Sequence, residues 1–373
     1  MARREHIGSP VGNVSGSAQL ATRVLAGAET RADVLFVAPQ ESGLPVHLGR
    51  SFDRSRVLHT DYALYRADQA LVEGGSGAAA DLHLGTAEVG VAAKHASLAV
   101  VFMPKGKRLA EFLLATIGEV LPPDTLVMLA GAKRSGVKSA KPLLARLVGP
   151  VCHSSSAYHA IVLTARITVE AAAARRTLLS EAAQSYFASA WDETIRVITL
   201  PGVFSDRRLD DGTAFLLELL HKPSVSGRAL DWGCGSGVIG ALLQRANPEA
   251  RVDLVDVSTM SRDAARLTMR ANGLPDEHVW LSDVLSDVSA TYDLIISNPP
   301  FHRVHEVDYF MSREFIRGAA AHLSRQGRLS IVTNRFINYF ESLRGWFGEV
   351  EVIAQDPRYR VIDARSPRSP RRP

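Results

Sequence analysis

A short apolar run, Arg228-Ala229-Leu230-Asp231, breaks into Trp232-Gly233-Cys234-Gly235-Ser236-Gly237 and continues as a helical pattern over 238–246. No other stretch limits the fold so strongly. A strand that turns through three glycines straight into a helix is one unit of a mostly parallel sheet with helices on both faces. Ligands of such sheets bind at the carboxyl ends of the strands. At Gly233, Gly235 and Gly237 the missing Cβ atoms let backbone approach a ligand closely.

The rhythm continues downstream. The pattern predicts strands over 251–257, 279–281, 292–297 and 328–333, and helices over 261–272, 310–323 and 336–347. Gly273 supplies a left-handed end for the first of these helices. The first half repeats the alternation faintly, with strands over 33–38, 98–103 and 126–130 and helices over 110–120 and 139–147. It has no glycine-rich turn directly after a strand. Gly74-Gly75-Ser76-Gly77 follows a helical pattern and reads as a flexible loop. The Ala-rich stretch 169–185, with Arg175 and Arg176, reads as a linking helix at a domain boundary. A length of 373 residues also favours two domains.

The turn at 231–237 departs from the dinucleotide pattern GxGxxG, because its third glycine comes one position early and Asp231 precedes the set. No pyrophosphate needs cradling if the ligand is S-adenosylmethionine. Asp231, or a water it orders, then faces the methionine ammonium. Asp256 ends the next strand, placed to accept both ribose hydroxyls, and Val257 beside it packs on an adenine face. Asp283 follows the third strand and either accepts from the adenine amine or caps a helix.

A second constellation, Asn298-Pro299-Pro300-Phe301-His302, ends the strand over 292–297. The Asn298 side-chain oxygen and the Pro299 carbonyl offer two acceptors to an NH₂ group, and proline brings no competing N–H. Two acceptors aim the nitrogen at the methyl and favour loss of its proton as the bond forms. Phe301 offers a face for a base. His302 takes the proton, contacts the base or is structural. In-line transfer to a nitrogen rests mainly on positioning.

The formal charge is only +4, and its distribution matters more. Lys133, Arg134, Lys138 and Lys141 cluster without an acidic neighbour and suit an RNA phosphate backbone. Arg365, Arg368, Arg371 and Arg372 crowd a Pro/Ser tail read as solvated surface. No apolar run is long enough to span a bilayer, and the amino terminus lacks a signal-peptide pattern. Cys152 and Cys234 are the two cysteines; they predict no disulfide framework and a reducing cytoplasm, and no spacing predicts a metal site.

These residues together resemble the two-domain ribosomal RNA guanine-N2 methyltransferases. The likeness rests on the two motifs above, on Leu200-Pro201-Gly202-Val203-Phe204-Ser205 and on Leu209-Asp210-Asp211-Gly212. Arg134-Ser135-Gly136-Val137-Lys138-Ser139-Ala140 is similar to the small-subunit branch, whereas Asn334-Arg335-Phe336-Ile337-Asn338-Tyr339-Phe340 is similar to the large-subunit branch. Trp232 departs from the small aliphatic residue usual there.

The resemblance implies two tandem Rossmann-like class I methyltransferase domains, the first degenerate and serving RNA or the stability of the second. Their expected bounds are 1–168 and 190–364, with a linker helix over 169–189 and a basic tail over 365–373. It assigns Asn298, Pro299 and Phe301 to the acceptor amine and base, and Phe204 and Ser205 to the edge of the cofactor pocket. The implied reaction moves a methyl group from S-adenosylmethionine to guanine N2 in 16S ribosomal RNA, free or in an assembling small subunit. Alternatives are a large-subunit enzyme and a non-catalytic assembly factor that binds RNA. The motif pair also serves adenine-N6 enzymes on DNA and glutamine-N5 enzymes on release factors.

Overall fold

The computed structural model describes residues 15–25, 33–43, 52, 54–75, 80–205, 207–220, 222–299, 306–337 and 339–368, with 306–312 as backbone alone. Two compact units result: Met1–His59 with Leu64–Leu179, and Thr60–Ala63 with Ser180–Pro373.

The first unit carries β1 (Asp33–Val37), β2 (Arg54–His59), β3 (Ala80–Leu84), β4 (Leu98–Phe102), β5 (Leu126–Ala132), β6 (Val151–Ala157) and β7 (Ala160–Arg166). They form one sheet in the order β3-β2-β1-β4-β5-β7-β6. The second unit opens with a hairpin, β8 (Gln184–Ala190) and β9 (Glu193–Thr199). It continues with β10 (Arg228–Trp232), β11 (Arg251–Asp256), β12 (Val279–Leu281), β13 (Tyr292–Ser297), β14 (Leu323–Asn334), β15 (Phe347–Gln355) and β16 (Tyr359–Pro367). Their order, β12-β11-β10-β13-β14-β16-β15, repeats that of the first sheet. Both are Rossmann-like: five parallel strands, then an antiparallel pair at one edge.

The central strands lie under side chains on both faces, so their sequences are nearly all apolar. All five residues of β4 are buried, and in β13 Ile295 and Ile296 are 0% exposed. Each such isoleucine stabilises the fold by about 1.5–3 kcal/mol. Trp232, the residue that departs from the family pattern, is accommodated outside the glycine turn. It stacks on Phe315 with centroids 3.8 Å apart, and its indole Nε1–H donates to the Val284 carbonyl at 2.8 Å.

Several boundaries differ from the sequence reading. The linking helix shrinks to Ala172–Ser180, and β8 begins at Gln184. That helix packs into the first unit because Arg175 is 4% exposed; its guanidinium donates to Glu119 and to the Leu147 and Thr168 carbonyls. The helix expected over 336–347 is Phe340–Trp346. The basic tail starts later than 365: Arg365 lies in β16 opposite Arg328 and Glu349, and the Arg368 N–H donates to the Trp346 carbonyl. Arg371 and Arg372 lie outside the described residues. Gly74 and Gly75 end the helix Tyr62–Glu73, with Ser76 and Gly77 outside the described residues.

Candidate active site

The strand order reverses between β10 and β13, and ligands of such sheets bind at that crevice. Asp231 pairs there with Leu254 on one side and Ile296 on the other. Its carboxylate is 1% exposed. Oδ2 accepts the Gly240 N–H at 2.8 Å, while Oδ1 has no hydrogen-bond partner among the described residues. Burial pushes the carboxyl up to about 7; the Gly240 bond opposes this, and the charge of Asp256 adds to it. An unpaired buried carboxylate oxygen is costly unless a cation or donor arrives. It therefore fits the ammonium group of S-adenosylmethionine. Gly240 makes the bond to Asp231 possible, since a Cβ there would lie 2.5 Å from the Leu254 side chain. Sequence reasoning missed this glycine because it lies inside a helix, Val238–Ala246.

Asp256 ends β11 and is half-buried. Its Oδ2 accepts the Gly235 N–H and its Oδ1 the Ser258 N–H, each at 2.9 Å. Burial raises its pKa and those two bonds hold the rise back. The Ser261 hydroxyl and the Val257 N–H also bond to this carboxylate, which stands at the strand end where ribose hydroxyls are received in such folds. Gly233 and Gly235 have φ of 68° and 54° with nothing within 4 Å of a built Cβ, so open space adjoins the turn. Gly237 differs, because its Cβ would meet that of Ala265 at 3.0 Å; it serves helix packing. Val257 follows Asp256 and is half-buried. Asp283 lies in a turn beside it, where the Ser282 N–H donates to the Asp256 carbonyl at 3.0 Å. No helix starts at Asp283, so its capping alternative falls away.

Beyond β13, the Asn298 Nδ2 donates to Asp210 Oδ2 at 2.8 Å and to Thr213 Oγ1 at 2.9 Å. A carboxylate only accepts, so the amide nitrogen must face Asp210 and Oδ1 must face away. Asp210 is itself fixed as the N-cap of the helix Asp211–Leu219, accepting the Thr213 N–H at 3.0 Å. Gly212 opens the corner: a Cβ would lie 3.2 Å from Tyr359 and 3.5 Å from the Asn298 amide. Tyr186, on β8, bonds to Ser236 of the glycine turn, and burial raises its pKa with the Asp210 charge adding. Asp210, Thr213, Tyr186 and Tyr359 were not singled out as site residues in the sequence. Pro299 is buried, whereas Pro300, Phe301 and His302 lie outside the described residues. Phe204 is 54% exposed on the turn after β9, and the Ser205 hydroxyl donates to the Arg208 carbonyl at 2.7 Å.

The first sheet carries none of these groups at the matching positions. Phe36 pairs with Val57 and Val100 as Asp231 pairs with Leu254 and Ile296. By the same register His59 stands where Asp256 stands, and Phe102 where Asn298 stands. His59 and Asp68 are both 0% exposed and 3.2 Å apart. The first unit has instead an exposed basic cluster. Lys133, Arg134, Lys138 and Lys141 follow β5 through two 3₁₀ turns, without an acidic partner among the described residues. Lys133 and Arg134 line a cleft of about 610 Å³ with Ser15, Tyr158 and His159.

Among the described residues no group of three or more His, Cys, Asp or Glu is placed to hold a metal ion. No described helix is long and apolar enough to cross a membrane. Cys152 is exposed and Cys234 buried, both as free thiols.

Comparison with known proteins gives the same picture. Residues 194–363 match the family "Methyltransferase small domain", and residues 28–181 match "Methyltransferase small domain N-terminal". The ribosomal RNA small subunit methyltransferase C of Aeromonas hydrophila is 35% identical over 333 residues, 88% of this chain and 92% of the relative. That of Pseudomonas paraeruginosa is 40% identical over 271 residues, 73% of this chain and 80% of the relative. The solved structure of the T. thermophilus 16S rRNA N2 G1207 methyltransferase, in complex with AdoMet and guanosine, shares the fold with a TM-score of 0.74. It is 24% identical, and the match covers 94% of this chain and 91% of that one.

Proposed function

The chain belongs to the ribosomal RNA small subunit methyltransferase C family and is an S-adenosylmethionine-dependent methyltransferase, and we propose that it methylates the exocyclic N2 of a guanine in 16S ribosomal RNA. The observation that carries this reading is the locked Asn298 amide. Asp210 and Thr213 take its N–H groups, so only its oxygen is offered to substrate, as an NH₂ acceptor requires.

In this reading Asp231 receives the cofactor ammonium, Asp256 the ribose hydroxyls, and Val257 and Asp283 flank the adenine. Gly233, Gly235 and Gly237 shape the turn, and Phe204 and Ser205 stand at the pocket's edge. The bound cofactor supplies an electrophilic methyl group. Asn298 Oδ1 and the Pro299 carbonyl hold the two N–H bonds of the guanine amine, leaving its lone pair toward that methyl. Phe301 stacks on the base, and His302 contacts the base or receives the released proton. The amine becomes strongly acidic as it is alkylated, so the step depends on alignment more than on a strong base.

The first unit serves the RNA. Lys133, Arg134, Lys138 and Lys141 give it positive charge without an acidic partner among the described residues, and His59, beside Asp68, stands where the second sheet has Asp256. The partner is 16S ribosomal RNA, free or in the assembling small subunit, in the cytoplasm.

Mass spectrometry of ribosomal RNA from cells lacking the protein tests this. One N2-methylguanine should vanish from 16S RNA and return with the wild-type chain but not with Asn298→Ala. A mark lost from 23S RNA instead would establish the large-subunit alternative. No lost mark would leave the assembly-factor reading.

A further inference from the structure

The carboxyl edge of the second sheet carries more than the acceptor loop. Ser297 pairs with Ile331, so Val332 is level with Asn298. β14 runs on to Asn334 and overshoots that level by two residues, about 7 Å. Arg335 and Phe336 follow at its tip. Phe336 is 74% exposed. Single exposed apolar side chains are common and need no explanation; the surroundings of this one are unusual. Arg335 is exposed without an ion-pair partner among the described residues, and its N–H donates to the Arg358 carbonyl at 2.8 Å. The Arg358 guanidinium lies 5.1 Å from the Tyr359 ring centroid, and Tyr359 borders the same Gly212 that Asn298 borders. An aromatic face and cationic groups thus stand on the rim of the acceptor site, connected to it contact by contact.

The acids on this rim are already engaged. Asp211 accepts from Arg208 at 2.7 Å and from Arg358 at 2.9 Å. Asp356 accepts the Arg358 N–H. The same bridges engage Arg208 and Arg358, which leaves the Arg335 cation and the Phe336 ring to meet a partner. Single-stranded nucleic acid has that complementary chemistry, with a phosphate for the cation and a base for the ring.

We propose that Arg335 and Phe336 form a landing site for the single-stranded RNA next to the target guanine, with Phe336 stacking on the neighbouring base and Arg335 contacting its phosphate. This rests on the RNA methyltransferase reading above. The target base must leave any duplex to reach Asn298, which unstacks its neighbour. A phenyl face at the rim restores that lost stacking on the protein.

The test measures fluorescence anisotropy of a labelled single-stranded, guanine-containing RNA oligonucleotide with the full chain. Phe336→Ala should weaken binding by about tenfold or more, Phe336→Tyr should restore it, and Arg335→Ala should lower the salt slope by about one. A duplex of the same sequence should bind both Phe336 variants alike. Wild-type affinity in Phe336→Ala would overturn the proposal, as would equal losses on duplex and single strand; a protein occupant would give the first result. Failure of the enzyme reading is separate, since it would appear as wild-type protein that transfers no methyl group to 16S RNA.

Discussion

Asp210 holds Asn298 by a 2.8 Å hydrogen bond from the amide nitrogen, across 88 residues of sequence. The bond fixes which end of the amide faces away from Asp210, the end that meets substrate in the proposed reaction. Asparagine is a symmetric-looking group, and without a neighbour that can only accept it would present donor or acceptor alike. Capping a helix with the same carboxylate fixes that neighbour in place.

Asp210→Asn separates the two roles. Asparagine caps helices as well as aspartate, so melting should stay within a few degrees of wild type. The new amide can donate as well as accept, so Asn298 loses its fixed orientation. Steady-state methyl transfer should fall by about tenfold to a hundredfold, as for one charge-assisted bond of about 1.5–3 kcal/mol. Cofactor affinity by calorimetry should be unaffected; a fall in both would place Asp210 in the cofactor site.

Asp231 predicts a pH dependence. Its folded-state pKa of about 7 lies above the ordinary carboxyl value, so the folded chain holds a proton that the unfolded chain has released. Stability of the free protein should decline as pH rises from about 4 to about 7 and then level, by on the order of a few kcal/mol. Asp231→Asn should flatten that slope. A cation favours the ionised form, so cofactor binding should tighten through the same range and release a proton, which calorimetry in buffers of different ionisation enthalpy would detect.

Gly240→Ala places a methyl group 2.5 Å from the Leu254 side chain and 3.1 Å from Asp231 Oδ2. Overpacking of this kind costs about 1–3 kcal/mol. Thermal unfolding should shift down by several degrees, whereas Gly345→Ala, which meets no atom within 4 Å, should not.

Replacing Lys133, Arg134 and Lys138 together by Ala should reduce the slope of log K against log salt for 16S RNA by roughly 2–3. An unaltered slope would return that cluster to ordinary surface.

Much of the second unit was readable because its signals are local. The glycine turn, Asp256 and Asn298 each sit where a strand ends, and the alternation around them placed those ends correctly. Thr213, Tyr186 and Tyr359 had no such signal, and Asp210 stood in the Leu209–Gly212 motif without a role assigned to it. They reach the site through a helix cap, a hairpin and an antiparallel edge strand, brought together only by tertiary packing. The edge pair β15 and β16 escaped notice for another reason. Phe347–Gln355 alternates with charged residues on its outer face, and the apolar stretch just before it, from Phe336, has the pattern of one long helix. In the first unit the missing turn after β1 was visible, but the replacement of Asp231, Asp256 and Asn298 by Phe36, His59 and Phe102 needed strand register.

That replacement bears on how the two halves change over time. At the carboxyl ends of the first sheet Phe36, His59 and Phe102 hold the places of Asp231, Asp256 and Asn298, and His59 lies 3.2 Å from Asp68 with both 0% exposed. Binding a ligand there in the manner of the second sheet would need a glycine turn and exchanges at all three of those positions. On the proposed division of labour, the first half can drift with the shape of the RNA it meets, while the second stays bound to the geometry of a single methyl transfer.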